Sequence, residues 1–173
     1  MRRTNWNNAT GNSSSSALNL VDETGALSGA TATWTSDVSW NLPITDSPGN
    51  VRMMRAYIDV LSGADSCVLT VAGLPPSSTG YDIYVYTDGD NATFTKTGTY
   101  QLSGSGITTA SVTVTDPANT NFSGTFTQAN NSAGNYVKFT AVQATAFTIT
   151  ATPNTAANGA LRAPVNAVQV VPH

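Results

Sequence analysis

The chain has 173 residues, 40% apolar and only 10% charged, with a net charge of −3. That length suits one domain, 1–173, built around a single core. Its seven Lys and Arg residues are scattered, with no basic stripe to neutralise phosphates, so nucleic acid and strongly anionic polymers are poor partners.

The chain opens with MRRTNWNNATGN and a serine run at 13–16. Residues 1–16 read as an N-terminal extension or linker ahead of the domain. This opening lacks the apolar segment of a signal peptide. The expectation is a domain of a larger multidomain secreted protein, set in an extracellular or cell-surface location. No apolar run is long enough to cross a bilayer, so membrane insertion is not expected. Trp6 either anchors the terminal segment or joins a ligand site. The next segment, SALNLVDE (16–23), reads equally well as a short helix or an edge strand.

Beyond it, short β-branched and aromatic runs recur between Gly, Pro, Asn and Ser, the pattern of an all-β domain. About ten strands are expected, near 30–35, 54–60, 67–72, 81–87, 97–102, 107–115, 122–127, 135–141, 146–152 and 164–171. They predict a two-sheet antiparallel β-sandwich, jelly-roll-like.

In ATATWTSDVSWN, Trp34 and Trp40 frame the polar loop TSDVS. Two indoles so placed form either a stacking platform for a sugar ring or a plug at one end of the sheets. In RMMRAYID, alternation puts Met53, Arg55 and Tyr57 on one face and Met54, Ala56 and Ile58 on the other. The second set reads as core, leaving Tyr57 for a groove or for an Arg neighbour. Cys67, in CVLTV, reads as a small buried hydrophobe and cannot form an internal disulfide, being the only cysteine.

Pro-Pro and Gly turn the chain from CVLTVAG back into YDIYVYTDGDN. There, Tyr81, Ile83 and Val85 alternate with Asp82, Tyr84 and Tyr86, and both sets are largely apolar, as in a central strand. Tyr84 and Tyr86 are a second aromatic pair. The turn Asp88-Gly89-Asp90-Asn91 has three readings: ordinary turn chemistry, a calcium site using Asp88 and Asp90, or direct ligand contact by Asn91. In GNYVKFTAV, Val137 and Phe139 face one way and Tyr136 and Lys138 the other. Arg162, before the last strand, either anchors its loop to backbone carbonyls or touches a ligand.

No catalytic constellation emerges. The lone histidine is terminal, so no Ser-His-Asp or Cys-His set can be built, and no zinc motif is present. A carboxylate pair for glycoside hydrolysis is not marked by any motif.

NWNNATGN, LNLVDETGA, RMMRAYID, GYDIYVYTDGDN, NFSGTFTQA, GNYVKFTAV and LRAPVNAVQVV together resemble a bacterial extracellular β-sandwich domain. The closing APVNAVQVV resembles the last strand of jelly-roll carbohydrate-binding modules. The resemblance implies architecture and setting and transfers no binding residue. With the aromatic and polar residues above, the expectation is a non-catalytic module that binds a neutral or weakly charged polysaccharide. Trp34, Trp40, Tyr57, Tyr84, Tyr86, Asn91 and Arg162 are its candidate contacts. The alternatives are a structural or adhesive unit of a surface protein or filament, and a small polysaccharide-active enzyme.

Overall fold

A computed structural model describes residues 5–63, 65–154 and 161–173. In chain order the elements are β1 (Leu18–Val21), β2 (Leu27–Thr35), β3 (Val38–Asn41), α1 (Asn50–Arg55), β4 (Ala56–Asp59), β5 (Cys67–Ala72) and β6 (Tyr81–Tyr86). There follow β7 (Lys96–Ser103), β8 (Ala110–Asp116), β9 (Ser132–Ala133), β10 (Tyr136–Val142), β11 (Ala146–Pro153) and β12 (Ala167–Pro172). The protein is all-β, as its punctuated β-branched runs predict, with 46% strand and 4% helix.

The strands form three sheets where two are expected. One has seven strands in the order β1-β2-β5-β11-β7-β8-β9, one has three, β10-β6-β12, and β3 and β4 pair by themselves. All pairings are antiparallel except the short β8–β9 contact. The ribbon β3–β4 is tied to the closing segment through Ile58 and Val165, whose N–H groups donate to each other's carbonyls at 3.0 and 2.9 Å.

The seven- and three-stranded sheets pack together and share one core. Phe147, Ile149 and Ala151 of β11 with Tyr100 and Leu102 of β7 meet Ile83 and Val85 of β6 and Val137 and Phe139 of β10. Fully burying each of the larger side chains contributes about 1.5–3 kcal/mol against the entropy of ordering the chain. The buried Tyr100 hydroxyl bonds to Thr87 Oγ1 and donates to the Pro164 carbonyl at 2.7 Å. A polar atom at the core's edge is thereby satisfied. The β6 strand is central in its sheet and lies in the core on one face, as its double apolar pattern implies. Cys67 is buried, as expected.

Two expected strands differ. The segment 54–60 begins inside α1, whose single turn and a half places Met54 in the interior before Ala56 turns extended. Six residues are too few to display helical periodicity. The stretch 122–127 is irregular. Its Phe122 joins Leu42, Met54 and Tyr57 in a second, smaller core, against which Val51, Met53, Tyr86 and Phe126 pack.

The segment that reads as an N-terminal extension is pinned to the sheet over residues 5–14. The Asn7 side chain donates to the Val21 carbonyl at 3.0 Å and accepts from the Val21 N–H at 2.8 Å. Ser13 bridges to Thr35, and the Asn12 side-chain amide donates to the carbonyls of Ser36 and Asp37.

Candidate functional site: an aromatic groove

On the face of β6 turned away from the main core stand Tyr84 and Tyr86, one strand period apart. Registration with the neighbouring strands sets Tyr136 of β10 and Ala167 of β12 beside Tyr86, and Lys138 and Gln169 beside Tyr84. The rings form a continuous, tilted surface. Tyr86 lies 6.0 Å from Tyr136 and 5.1 Å from Phe126, Tyr84 lies 6.1 Å from Tyr136, and Phe126 lies 4.8 Å from Phe122. Interplanar angles along this surface run from 38° to 82°. These distances are within the range in which aromatic pairs attract beyond simple burial.

Of these rings, Tyr84, Tyr86 and Phe126 line a groove of about 860 Å³, with Tyr136 and Phe122 packed against them outside its lining, and its walls come from two loops and the N-terminal segment. Ser47–Val51 and Met53, around the start of α1, form one side, Gly124 and Phe126 the other, and Trp6 contributes an indole. The volume falls within the ~300–1,000 Å³ of preformed ligand sites. Among the described residues, the Trp6 ring N–H donates no hydrogen bond, so it remains available to a ligand acceptor.

Polar groups fix the rings. The Tyr86 hydroxyl donates to Gln169 Oε1 at 2.9 Å, and burial raises the pKa of that phenol above its ordinary value. Next to the groove, Lys138 pairs with Asp82 at 2.7 Å and stands 5.3 Å from the Tyr84 ring centroid, a cation–π approach. Asp82 also meets the His173 ring at 2.9 Å. Burial opposes its ionisation, yet hydrogen bonds from Lys138, the Ala141 amide and His173 outweigh it and hold its pKa below the ordinary value.

Of the residues singled out from the sequence, the groove contains Tyr84 and Tyr86. Trp34 is 7% exposed, its ring N–H donating to the Gly11 carbonyl at 3.2 Å. It takes the plug role because alternation along β2 puts Ala30, Ala32 and Trp34 on the buried side. Trp34 also borders a smaller depression of about 280 Å³, with Ser14–Ala17, Thr33 and Thr70. Trp40, on β3, is 54% exposed and does not line the groove. The two indoles do not frame a common platform.

Tyr57 is buried in the smaller core instead of lining a groove, its hydroxyl accepting from the Asp90 N–H at 3.1 Å. Burial pushes its pKa up to about 12. Its alternation fails because α1 precedes β4 and shifts the phase, which leaves Ala56 exposed. Asn91 is buried, its amide donating to the carbonyls of Asp116 and Pro117 at 3.1 and 2.8 Å. Arg162 anchors its loop, donating to the carbonyls of Val60 and Leu161 at 3.1 and 2.8 Å, with Asp59 at 3.6 Å. Asp88 is buried whereas Asp90 is exposed.

Sequence reading passed over Phe126, Gln169 and the aromatic role of Tyr136, and gave Trp6 only an open reading. Period-two alternation in NYVK and AVQVV sets the faces of Tyr136 and Gln169 within their own strands, as YVYT does for Tyr84 and Tyr86. Only the pairing of the strands puts those faces together. Among the described residues no helix is long and apolar enough to cross a membrane. No family model, curated protein or solved structure matches the chain.

Proposed function

We propose that the protein is a non-catalytic carbohydrate-binding module that holds a neutral or weakly charged polysaccharide in the groove over Tyr84, Tyr86 and Phe126. One observation carries the reading: the rings of Tyr84, Tyr86 and Phe126 line a groove of ligand size, edged by Asn50, Gln169 and Trp6. The apolar faces of pyranose rings stack on aromatic rings, and amide and indole groups meet the hydroxyls at the ring edges. The rings are tilted relative to one another instead of coplanar, which suits one twisted glycan chain better than the flat face of a crystalline polymer.

The charge pattern supports a neutral ligand. Lys138 and Asp82 neutralise each other, and no carboxylate lines the groove among the described residues. The same feature favours binding over hydrolysis, which needs two carboxyl groups flanking the scissile bond. In this reading the seven- and three-stranded sheets form a jelly-roll-like β-sandwich, and the module serves a larger secreted or surface protein. The low charge and abundant hydroxyl side chains of the chain fit that setting.

A glycan microarray probed with the purified protein, alongside Tyr84→Ala/Tyr86→Ala, tests the reading. Specific signals for the wild type, lost in a folded double variant, are expected. No signal on any glycan would move the assignment to a structural or adhesive unit.

A further inference from the structure

Two of the rings that line the groove, Trp6 and Phe126, stand on stretches without regular secondary structure. No strand ladder sets the direction of either side chain. In both cases the side-chain amide of an asparagine outside the groove lining takes over that task.

Phe126 is presented by Asn135, the residue that leads into β10. The Asn135 Nδ2 donates to the Thr125 carbonyl at 2.9 Å, and its Oδ1 accepts from the Thr127 N–H at 2.8 Å. The amide thus grips the backbone on both sides of Phe126. The Asn135 main chain completes the hold. Its N–H donates to the Thr127 carbonyl at 2.9 Å, and its carbonyl accepts from the N–H of Thr87, just past β6, at 3.0 Å. Thr125 and Thr127 are exposed while Phe126 is half-buried, the alternation of an extended segment.

Trp6 is presented by Asn7, clamped to β1 at the edge of the seven-stranded sheet. The Asn7 Nδ2 donates to the Val21 carbonyl at 3.0 Å, and its Oδ1 accepts from the Val21 N–H at 2.8 Å. The amide stands in for the peptide group of a further strand. On the other side of Trp6, the Asn5 Nδ2 donates to the Glu23 carbonyl at 2.8 Å. The receiving end is held by Asp22, whose Oδ1 accepts from the N–H and hydroxyl of Thr24 and from the Ala26 N–H. Among the described residues Trp6 is part of neither apolar core, so the clamps, more than packing, set its place.

An amide is required for both clamps because it offers a donor and an acceptor side by side. A carboxylate of the same shape has no donor and would set oxygen against a backbone carbonyl.

We propose that Asn7 and Asn135 are positioning residues for the groove: neither lines it, yet each holds one of its rings in place before a ligand arrives and so sets affinity for the glycan. This rests on the carbohydrate-binding reading above. Rings ordered in advance lose less freedom on binding than rings the ligand must order.

The test combines NMR spectra of the full chain with affinity gels containing graded concentrations of soluble β-glucan or xylan. The variants are Asn7→Asp and Asn135→Asp, then Asn7→Ala and Asn135→Ala, which break the clamps without adding charge, and Tyr84→Ala/Tyr86→Ala. Without glycan, the Trp6 indole N–H resonance, identified by its loss in Trp6→Phe, should move in both Asn7 variants and stay in place in both Asn135 variants. The resonance of the exposed Trp40 should stay in place throughout. With glycan, retention should weaken by several-fold, up to about tenfold, in each clamp variant, with Tm within a few degrees of the wild type. A Trp6 resonance unmoved in folded Asn7→Ala would overturn the proposal and leave the binding reading intact. So would full retention of both Ala variants by a polysaccharide that the tyrosine double variant no longer binds. Weakened retention accompanied by a large fall in Tm would assign the amides to folding and also overturn the proposal. A wild-type protein retained by neither polysaccharide would overturn the binding reading, and the proposal with it.

Discussion

The hydroxyl of Tyr86 donates to Gln169 Oε1 across the β6–β12 pair at 2.9 Å. Gln169 thereby turns one of the central rings of the groove and holds it against Phe126. A ring locked before a ligand arrives loses less entropy on binding than one that must be ordered.

Gln169→Leu keeps the volume and removes the acceptor. It should weaken binding of a matching oligosaccharide by several-fold, about 1 kcal/mol for one lost hydrogen bond, while leaving the melting temperature nearly unchanged. Titration calorimetry of the two proteins under one condition reads this directly. An unchanged affinity would show that the bond does not orient the ring.

The two indoles of ATATWTSDVSWN should behave in opposite ways. Trp34→Ala opens a cavity in the interior and is expected to cost about 3–5 kcal/mol of stability. Trp34→Phe, which loses mainly the bond to Gly11, should cost less. Trp40→Ala, at an exposed position, should stay within about 0.5 kcal/mol of the wild type. Urea denaturation of the three variants separates these outcomes.

The contrast shows what the sequence could carry. Strands such as Cys67–Ala72, Tyr81–Tyr86 and Ala146–Pro153 are legible because alternation and turn residues are local signals. Ala30, Ala32 and Trp34 alternate in the same way, so Trp34's inward position was also written in the chain. Trp40 differs because its four-residue strand, Val38–Asn41, is too short to establish a pattern. Phe122 and Phe126 look like strand residues by type and spacing, but they plug a small core from an irregular segment. The groove itself depends on which strands are neighbours. Alternation shows that Tyr84 and Tyr86 share one face of their strand and that Tyr136 lies opposite Val137 in its own, whereas the β10-β6-β12 order that unites them comes from long-range pairing.

Asp59 gives a pH signature. It is buried, and burial raises its pKa to about 6 from the ordinary 3.8, although the amides of Val60 and Ala163 donate to Oδ1 at 2.8 and 2.9 Å. Between those two values the native state binds the proton more tightly than the unfolded chain. The contribution is therefore fully present below the unfolded pKa and is lost as pH rises through about 6. Its size is on the order of 3 kcal/mol. Asp59→Asn should flatten the stability profile over that window relative to the wild type. A parallel pair of profiles from urea melts at several pH values would refute this.

Cys67 should be silent in the native protein. The thiol is buried on the core side of β5, and burial raises its pKa well above the ordinary value, so little nucleophilic thiolate forms. Reaction with a disulfide reagent should proceed only as fast as the protein unfolds. Rapid labelling under native conditions would show that β5 opens locally.

The most direct test of the carbohydrate-binding reading is affinity electrophoresis through gels containing soluble β-glucan or hemicellulose. Wild type, Tyr84→Ala/Tyr86→Ala and Trp40→Ala would run side by side, with circular dichroism confirming that each is folded. The account predicts that the wild type and Trp40→Ala are retarded by the same polysaccharide, and that the tyrosine double variant migrates freely. Retardation that persists in the folded tyrosine variant, or that disappears with Trp40→Ala, would contradict it.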